Sequence, residues 1–255
     1  MGKVNNAPIK NKSLKKALDV LNCFAEKQPL SVTEISEKLS LNKSNTYDIL
    51  ATFCAMDYLT KDPRTSLYSV GLALCRFDSS QNRQNLLKQI AHPHIQELAN
   101  KVEESVFLSV PGGECILYLD GAQPYLSDFP EQGSYIGNRN KMHCTASGKA
   151  MMAFMSPEER KIPLGCELTP MTEYTITDRE LLIQECEKVR QCGYAFDRME
   201  YHLNRSCVAV PLLHPNGQLL GAISISGTTR RIEHDNPQFL ISGLMECAAR
   251  ISAEF

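Results

Sequence analysis

Ser31 and Asn42, two helix starts only eleven positions apart, constrain the front of this chain more than any other feature. Ser31 to Glu34 reads as a capping box, in which hydroxyl and carboxylate satisfy each other's backbone donors. Asn42 suits the N-cap of the next helix. The helix between them has room for about two turns, with Ile35 and Leu39 inward. Ahead of it, residues 13–27 place Leu14, Ala17, Leu18, Leu21 and Phe24 at helical spacing, and Pro29 stops that helix because it pushes its predecessor out of the helical region. A third helix over residues 43–57 turns Thr46, Ile49, Leu50 and Phe53 inward. Residues 58–70 alternate as a strand, turn at Asp62 to Thr65, and return. Three short helices and a β-hairpin predict a winged helix-turn-helix over residues 1–71.

In that geometry the third helix enters the major groove of a duplex and its first turn reaches base edges. Lys43, Ser44, Asn45 and Tyr47 occupy that turn and the outward face, and supply the donors that bases and phosphates require. Lys61 and Arg64 sit near the wing tip. The formal net charge of −2 conceals an asymmetry: residues 1–70 hold 10 basic against 7 acidic side chains, the remainder 17 against 22. Lys3, Lys10, Lys12, Lys15 and Lys16 all precede the first acid, Asp19. A basic head on an acidic body suits a polyanion partner, here a double-stranded DNA operator.

With 43% apolar and 22% charged residues, the 255-residue chain has a globular composition. No window approaches the roughly 18 apolar residues of a membrane span, and the polar N-terminus has no apolar stretch. The expected location is therefore cytoplasmic, away from membranes. None of the ten cysteines stands in a C-x-x-C relation, so reduced thiols are expected. His92, His94, His202 and His234 form no cluster with metal-ligand spacing. Gly148-Lys149 fails as a phosphate loop, since His143 stands where glycine is needed and Ala150 where Ser or Thr is needed. Neither metal nor cofactor is expected, and His143 reads as structural.

Residues 72–85 read as a linker helix, whose Leu72, Leu74 and Phe77 could pair two heads so that two recognition helices meet two half-sites. Over residues 86–255 helices and strands mix. A helix to Val102 carries Pro93, where a kink or break is expected. Two strands follow about Pro111-Gly112-Gly113, then a helix over residues 149–157 and another over 178–193 that stops at Gly193. Two strands over residues 206–227 meet across Asn216-Gly217, and a helix closes the chain. The fold class expected is α+β: the winged head, the linker helix, and an α/β domain with an antiparallel sheet.

Thr145-Ala146-Ser147-Gly148 leads into a helix and offers backbone N–H groups to an anion. Ser224 and Ser226 alternate with Ile223 and Ile225, so both hydroxyls share one face, with Cys207 on the partner strand. The rival from another class is a thiol-dependent enzyme using Cys207 with His143 or His202 as base. It leaves the basic head and the wing unexplained, and no catalytic residue is assigned.

Three stretches carry a resemblance across nearly the whole chain: residues 41–50 with the wing 58–71, residues 137–154, and residues 193–213 with 221–227. The chain resembles the IclR family of bacterial transcription regulators. That resemblance implies a winged helix-turn-helix on a GAF-like effector domain, a small carboxylate or sugar-acid effector, and a homo-oligomer, dimer or tetramer. It implies further that Asp197, Cys207, Ser224 and Ser226 line the cavity, with Ala146 and Ser147 as amide donors. Two positions depart from the pattern: Asp48 stands where many members carry arginine, and Asp57 where glycine is usual.

Overall fold

The computed structural model describes residues 9–74, 83–124 and 136–255. The chain divides into two units, with the boundary after Asn82.

In the N-terminal unit, helix α1 (Lys12–Glu26) starts where the Asn11 side chain accepts the Leu14 N–H at 2.9 Å. Helix α2 (Val32–Leu39) opens on the full capping box: Ser31 N–H reaches Glu34 Oε2 at 2.8 Å, and Glu34 N–H reaches Ser31 Oγ at 3.2 Å. The Lys27 ammonium and the Ser31 donors hold the Glu34 carboxyl down to about 2. Asn42 caps helix α3 (Lys43–Ala55), its Oδ1 accepting from Ser44 N–H at 2.8 Å. Strands β1 (Leu59–Lys61) and β2 (Tyr68–Val70) form the antiparallel wing. Asp62 Oδ1 closes its turn by accepting the Arg64 N–H at 2.7 Å.

The core of this unit is Val20, Cys23, Phe24, Leu30, Ile35, Leu50, Leu59 and Tyr68. One expectation fails in α1, where Leu14 and Leu18 are 56% and 48% exposed. Phe24 is buried as expected and Leu21 packs against the core, but the inward face is turned toward Val20 and Cys23, away from Leu14 and Leu18. Asp57 has φ 61°, a left-handed conformation that glycine adopts most readily and that aspartate tolerates better than most side chains. The expected linker helix falls mostly outside the described residues, Phe77 included; Leu72–Leu74 form a 3₁₀ turn.

Among the described residues the C-terminal unit is built on one six-stranded antiparallel sheet in the order β5-β4-β3-β8-β7-β6. Its strands are β3 (Ser105–Gly112), β4 (Cys115–Ala122), β5 (Arg139–Lys141), β6 (Ala195–Arg198), β7 (Arg205–Leu213) and β8 (Leu219–Thr228). Helix α4 (Arg83–Val102) packs on one face through Leu87, Ala91, Ile95, Leu98 and Val102. It runs through Pro93 as one helix, so of the kink or break expected there the break does not occur; the apolar face packed on the sheet outweighs one lost N–H bond. Helix α5 (Ala146–Phe154) covers the other face, followed by α6 (Pro157–Gly165) and α7 (Arg179–Cys192). Gly193 ends α7 at φ 84°, as a left-handed stop requires. Helix α8 (Pro237–Ser252) returns to the face of α4.

The β7–β8 connection is longer than a two-residue hairpin. His214 accepts the Gly217 N–H at 2.8 Å, and Gly217 sits at φ 84°. Pro215 thus takes the second position of a β-turn, where its fixed φ is already suitable, and Gly217 closes it.

Candidate functional site

In the N-terminal unit Lys43, Ser44, Asn45, Tyr47 and Asp48 are all exposed on α3, while Thr46 and Leu50 point into the core. The third helix therefore presents one continuous polar face. Arg64 is exposed in the wing turn. Lys61 is held closer in: its ammonium stands 5.8 Å from the Tyr47 ring centroid and 5.5 Å from that of Tyr68. These cation–π contacts tie the strand to the recognition helix, with Lys61 at the turn end of β1, paired to Tyr68, and Arg64 in the turn itself.

The C-terminal unit contains a cavity with an empty volume of about 660 Å³, part of it continuous with solvent. Thr145, Ala146, Ser147, Asp197, Cys207, Ser224 and Ser226 line it. The pairing of strands explains the convergence. Ser224 lies opposite Ala209 and Phe107, while Ser226 lies opposite Cys207 and Ser105, so the two hydroxyls share one sheet face with the thiol between β6 and β8. Cys207 in turn pairs with Asp197.

Gly148 is not among the lining residues. A Cβ on it would lie 2.2 Å from the Met142 carbonyl oxygen, so glycine here permits close backbone approach. Its N–H is also taken, donating to Thr145 Oγ1 at 3.2 Å. Thr145 is thereby the cap of α5. The first two amides of the helix, those of Ala146 and Ser147, have no intrahelical acceptor, and both residues line the cavity at the positive end of the helix.

Five further residues line the cavity that sequence reasoning passed over, Phe107, Tyr118, Asn140, Tyr201 and Arg205, together with His202, which it named only as a possible base beside Cys207. Phe107 and Tyr118 meet edge to face at 5.6 Å. Tyr201 Oη donates to Asn140 Oδ1 at 3.0 Å, and Asn140 Nδ2 donates to Tyr118 Oη at 3.4 Å, which joins the β6–β7 loop to β5 and β4. Arg205 Nη2 donates to Ser226 Oγ at 3.2 Å. Only Arg205 had a usable signal, since it stands two residues before Cys207 and so on the same strand face.

Burial dominates the electrostatics. Asp197 is 3% exposed; burial, then the neighbouring Glu200 charge, pushes its carboxyl up to about 7. Its Oδ1 accepts from the Glu200 and Tyr201 amides at 2.7 and 3.3 Å. Burial, then the Asp197 charge, pushes the Cys207 thiol up to about 12. A thiol so raised is almost wholly protonated near neutrality and makes a poor nucleophile, which argues against the thiol-enzyme alternative. His143 is buried with Nε2 on the Thr169 carbonyl at 3.0 Å, and burial lowers its pKa. Lys149 is 1% exposed and forms an ion pair with Glu200 inside the protein. It is therefore a structural lysine. Among the described residues no group of three His, Cys, Asp or Glu side chains could hold a metal ion, and no helix is long and apolar enough to cross a membrane.

Comparison with known proteins agrees along the chain. The model of the IclR helix-turn-helix domain matches residues 13–63, and that of the bacterial transcriptional regulator IclR C-terminal domain matches residues 80–253. The chain is 28% identical over 240 residues to the DNA-binding transcriptional repressor YiaJ of Escherichia coli, covering 93% of this chain and 84% of that protein. The crystal structure of the Thermotoga maritima IclR is 30% identical and superimposes with a TM-score of 0.77, covering 95% of this chain and 98% of that one. An IclR homologue from Microbacterium hydrocarbonoxydans, crystallised with 4-hydroxybenzoate, shares the fold at a TM-score of 0.75 and 20% identity, over 95% of this chain and 98% of its own.

Proposed function

We propose, on the premise that this chain belongs to the IclR family of bacterial transcriptional regulators, that it is a cytoplasmic repressor released from its operator by a small organic acid or sugar acid. Membership makes it a ligand-responsive DNA-binding regulator and not an enzyme. The acid-sensing reading rests on one observation above all, the cavity lined by the first two residues of α5, whose amides lack an intrahelical acceptor, by two serines and by Arg205. Those are donors, and a carboxylate needs donors. Asp197 and the tyrosines add acceptors for ligand hydroxyls, a chemistry that fits the hydroxylated acid held by the Microbacterium neighbour.

Lys43, Ser44, Asn45, Tyr47, Lys61 and Arg64 are the DNA-facing set, and Thr145, Ala146, Ser147, Asp197, Cys207, Ser224 and Ser226 the effector set. A homo-oligomer, dimer or tetramer, presents two heads to two half-sites. Effector binding favours one arrangement of the assembly over another, and a coupling of about 1–3 kcal/mol changes operator affinity roughly 5–150-fold.

The test uses an operator selected from genomic fragments and the full-length protein. A thermal-shift screen of pyruvate, 4-hydroxybenzoate and gluconate first identifies a bound acid. Ser224→Ala with Ser226→Ala is expected to bind the operator normally and to lose its response to that acid. A normal response in the double variant removes this wall of the cavity from effector binding.

A further inference from the structure

We propose that Arg205 is a second anion seat in the cavity, and that the effector is consequently a short diacid spanning from the open end of α5 to this guanidinium. The proposal rests on the reading of the cavity as the effector site.

Arg205 has the features of a cation awaiting an anion. It is half-buried at the cavity wall, it donates to Ser226 Oγ, and among the described residues it has no carboxylate within ion-pair distance. The acids near it are committed elsewhere. Glu104, the buried residue just before β3, feels the Arg205 charge but is ion-paired to Arg231 Nε at 2.6 Å. Asp197 accepts two backbone amides, and its burial favours the neutral form. Glu200 is paired with Lys149. Arg205 is thus the one permanent full positive charge among the lining residues, His202 being the other basic side chain. A half-desolvated guanidinium beside a hydroxyl offers a carboxylate a charge-assisted, two-pronged site.

Strand register separates this seat from the first. Along β7, Ala209, Cys207 and Arg205 share one face, opposite Ser224, Ser226 and Thr228. Ala209 belongs to the same buried cluster as Ala146 and Ala150, so α5 covers that end of the row. Same-face residues stand roughly 6.6 Å apart along a strand, which places the Arg205 backbone two steps beyond Ala209. Its side chain reaches back one step, to Ser226. An effector touching both the Ala146 and Ser147 amides and Arg205 therefore carries acceptors roughly 6–8 Å apart, the span of a dicarboxylate of about four to six carbons. Phe107, level with Ser224 and Ala209, and Tyr118 beside it give the α5 end of that path an apolar surface.

Calorimetry with the full-length protein distinguishes the possibilities. The probes are succinate, glutarate and adipate, each against its monomethyl ester, with pyruvate and 4-hydroxybenzoate as monoacids. The wild type is expected to bind one of the diacids about tenfold or more tightly than its ester. Arg205→Gln is expected to erase that preference while leaving the ester's Kd within about threefold, and Arg205→Lys to restore part of it. Equal binding of diacid and ester by the wild type overturns the second seat, as does an Arg205→Gln variant that loses both ligands alike while Arg205→Lys restores no preference. Binding of the monoacids alone overturns it too and leaves the effector-site reading intact. Binding of no acid overturns both.

Discussion

Asp197 and Cys207 stand directly opposite one another in the β6–β7 ladder, and both face the cavity. A carboxyl and a thiol thus share one buried wall, and the charge of the first helps to keep the proton on the second. Burial and Glu200 keep the proton on the carboxyl itself up to about pH 7. An incoming anion meets a wall that is neutral over much of the acidic range.

The pair yields a stability prediction. Asp197 titrates at about 7 in the folded protein against about 3.9 in the unfolded chain. Its contribution is therefore complete below about pH 4 and is lost as pH rises through 7. Asp197→Asn keeps an acceptor for the two loop amides and removes the titration. The variant is expected to match the wild type in denaturant melts near pH 4 and to exceed it by about 2–4 kcal/mol near pH 8. A gain equal at both pH values would place its origin outside ionisation.

The close approach at Gly148 predicts a steric cost. A methyl group there lies 2.2 Å from a main-chain oxygen, where no flexible side chain can yield. Gly148→Ala is expected to lose about 1–3 kcal/mol and to weaken acid binding, because the Ala146 and Ser147 amides move with the displaced turn. Gly165→Ala, with nothing within 4 Å of its added carbon, serves as the control and is expected to be neutral or slightly stabilising. Equal behaviour of the two variants in thermal melts would contradict this account.

On α3, Lys43 and Asn45 are both exposed but differ in what they can read. Lys43→Ala is expected to weaken specific and random DNA alike and to reduce the salt slope by about one. Asn45→Ala is expected to cost about 1–3 kcal/mol on the specific site and little on random DNA. Filter binding at two salt concentrations checks both, and equal losses on both DNAs for Asn45→Ala would take it out of base recognition.

What was legible in the sequence was what depends on near neighbours. The capping box at Ser31, the Asn42 cap, the Asp62 turn and the Gly193 stop are all contacts within four residues, and all four form as written. Ser224 and Ser226 share a face because strand alternation is itself local. Strands β5 and β6, only three and four residues long, carry no periodicity of their own and are defined by partners far along the chain. That is why Asn140 and Tyr201 went unseen. The direction of α1 was misjudged for the same reason, since Val20 and Cys23 are chosen over Leu14 and Leu18 by what packs on them.

The buried pair of Lys149 and Glu200 joins the second turn of α5 to the root of the β6–β7 loop. The amides at the start of that helix and the Tyr201 and His202 side chains of that loop are consequently parts of one braced frame. On the effector-site reading, a visitor has to match dimensions set before its arrival, and discrimination among metabolites is then made by fit.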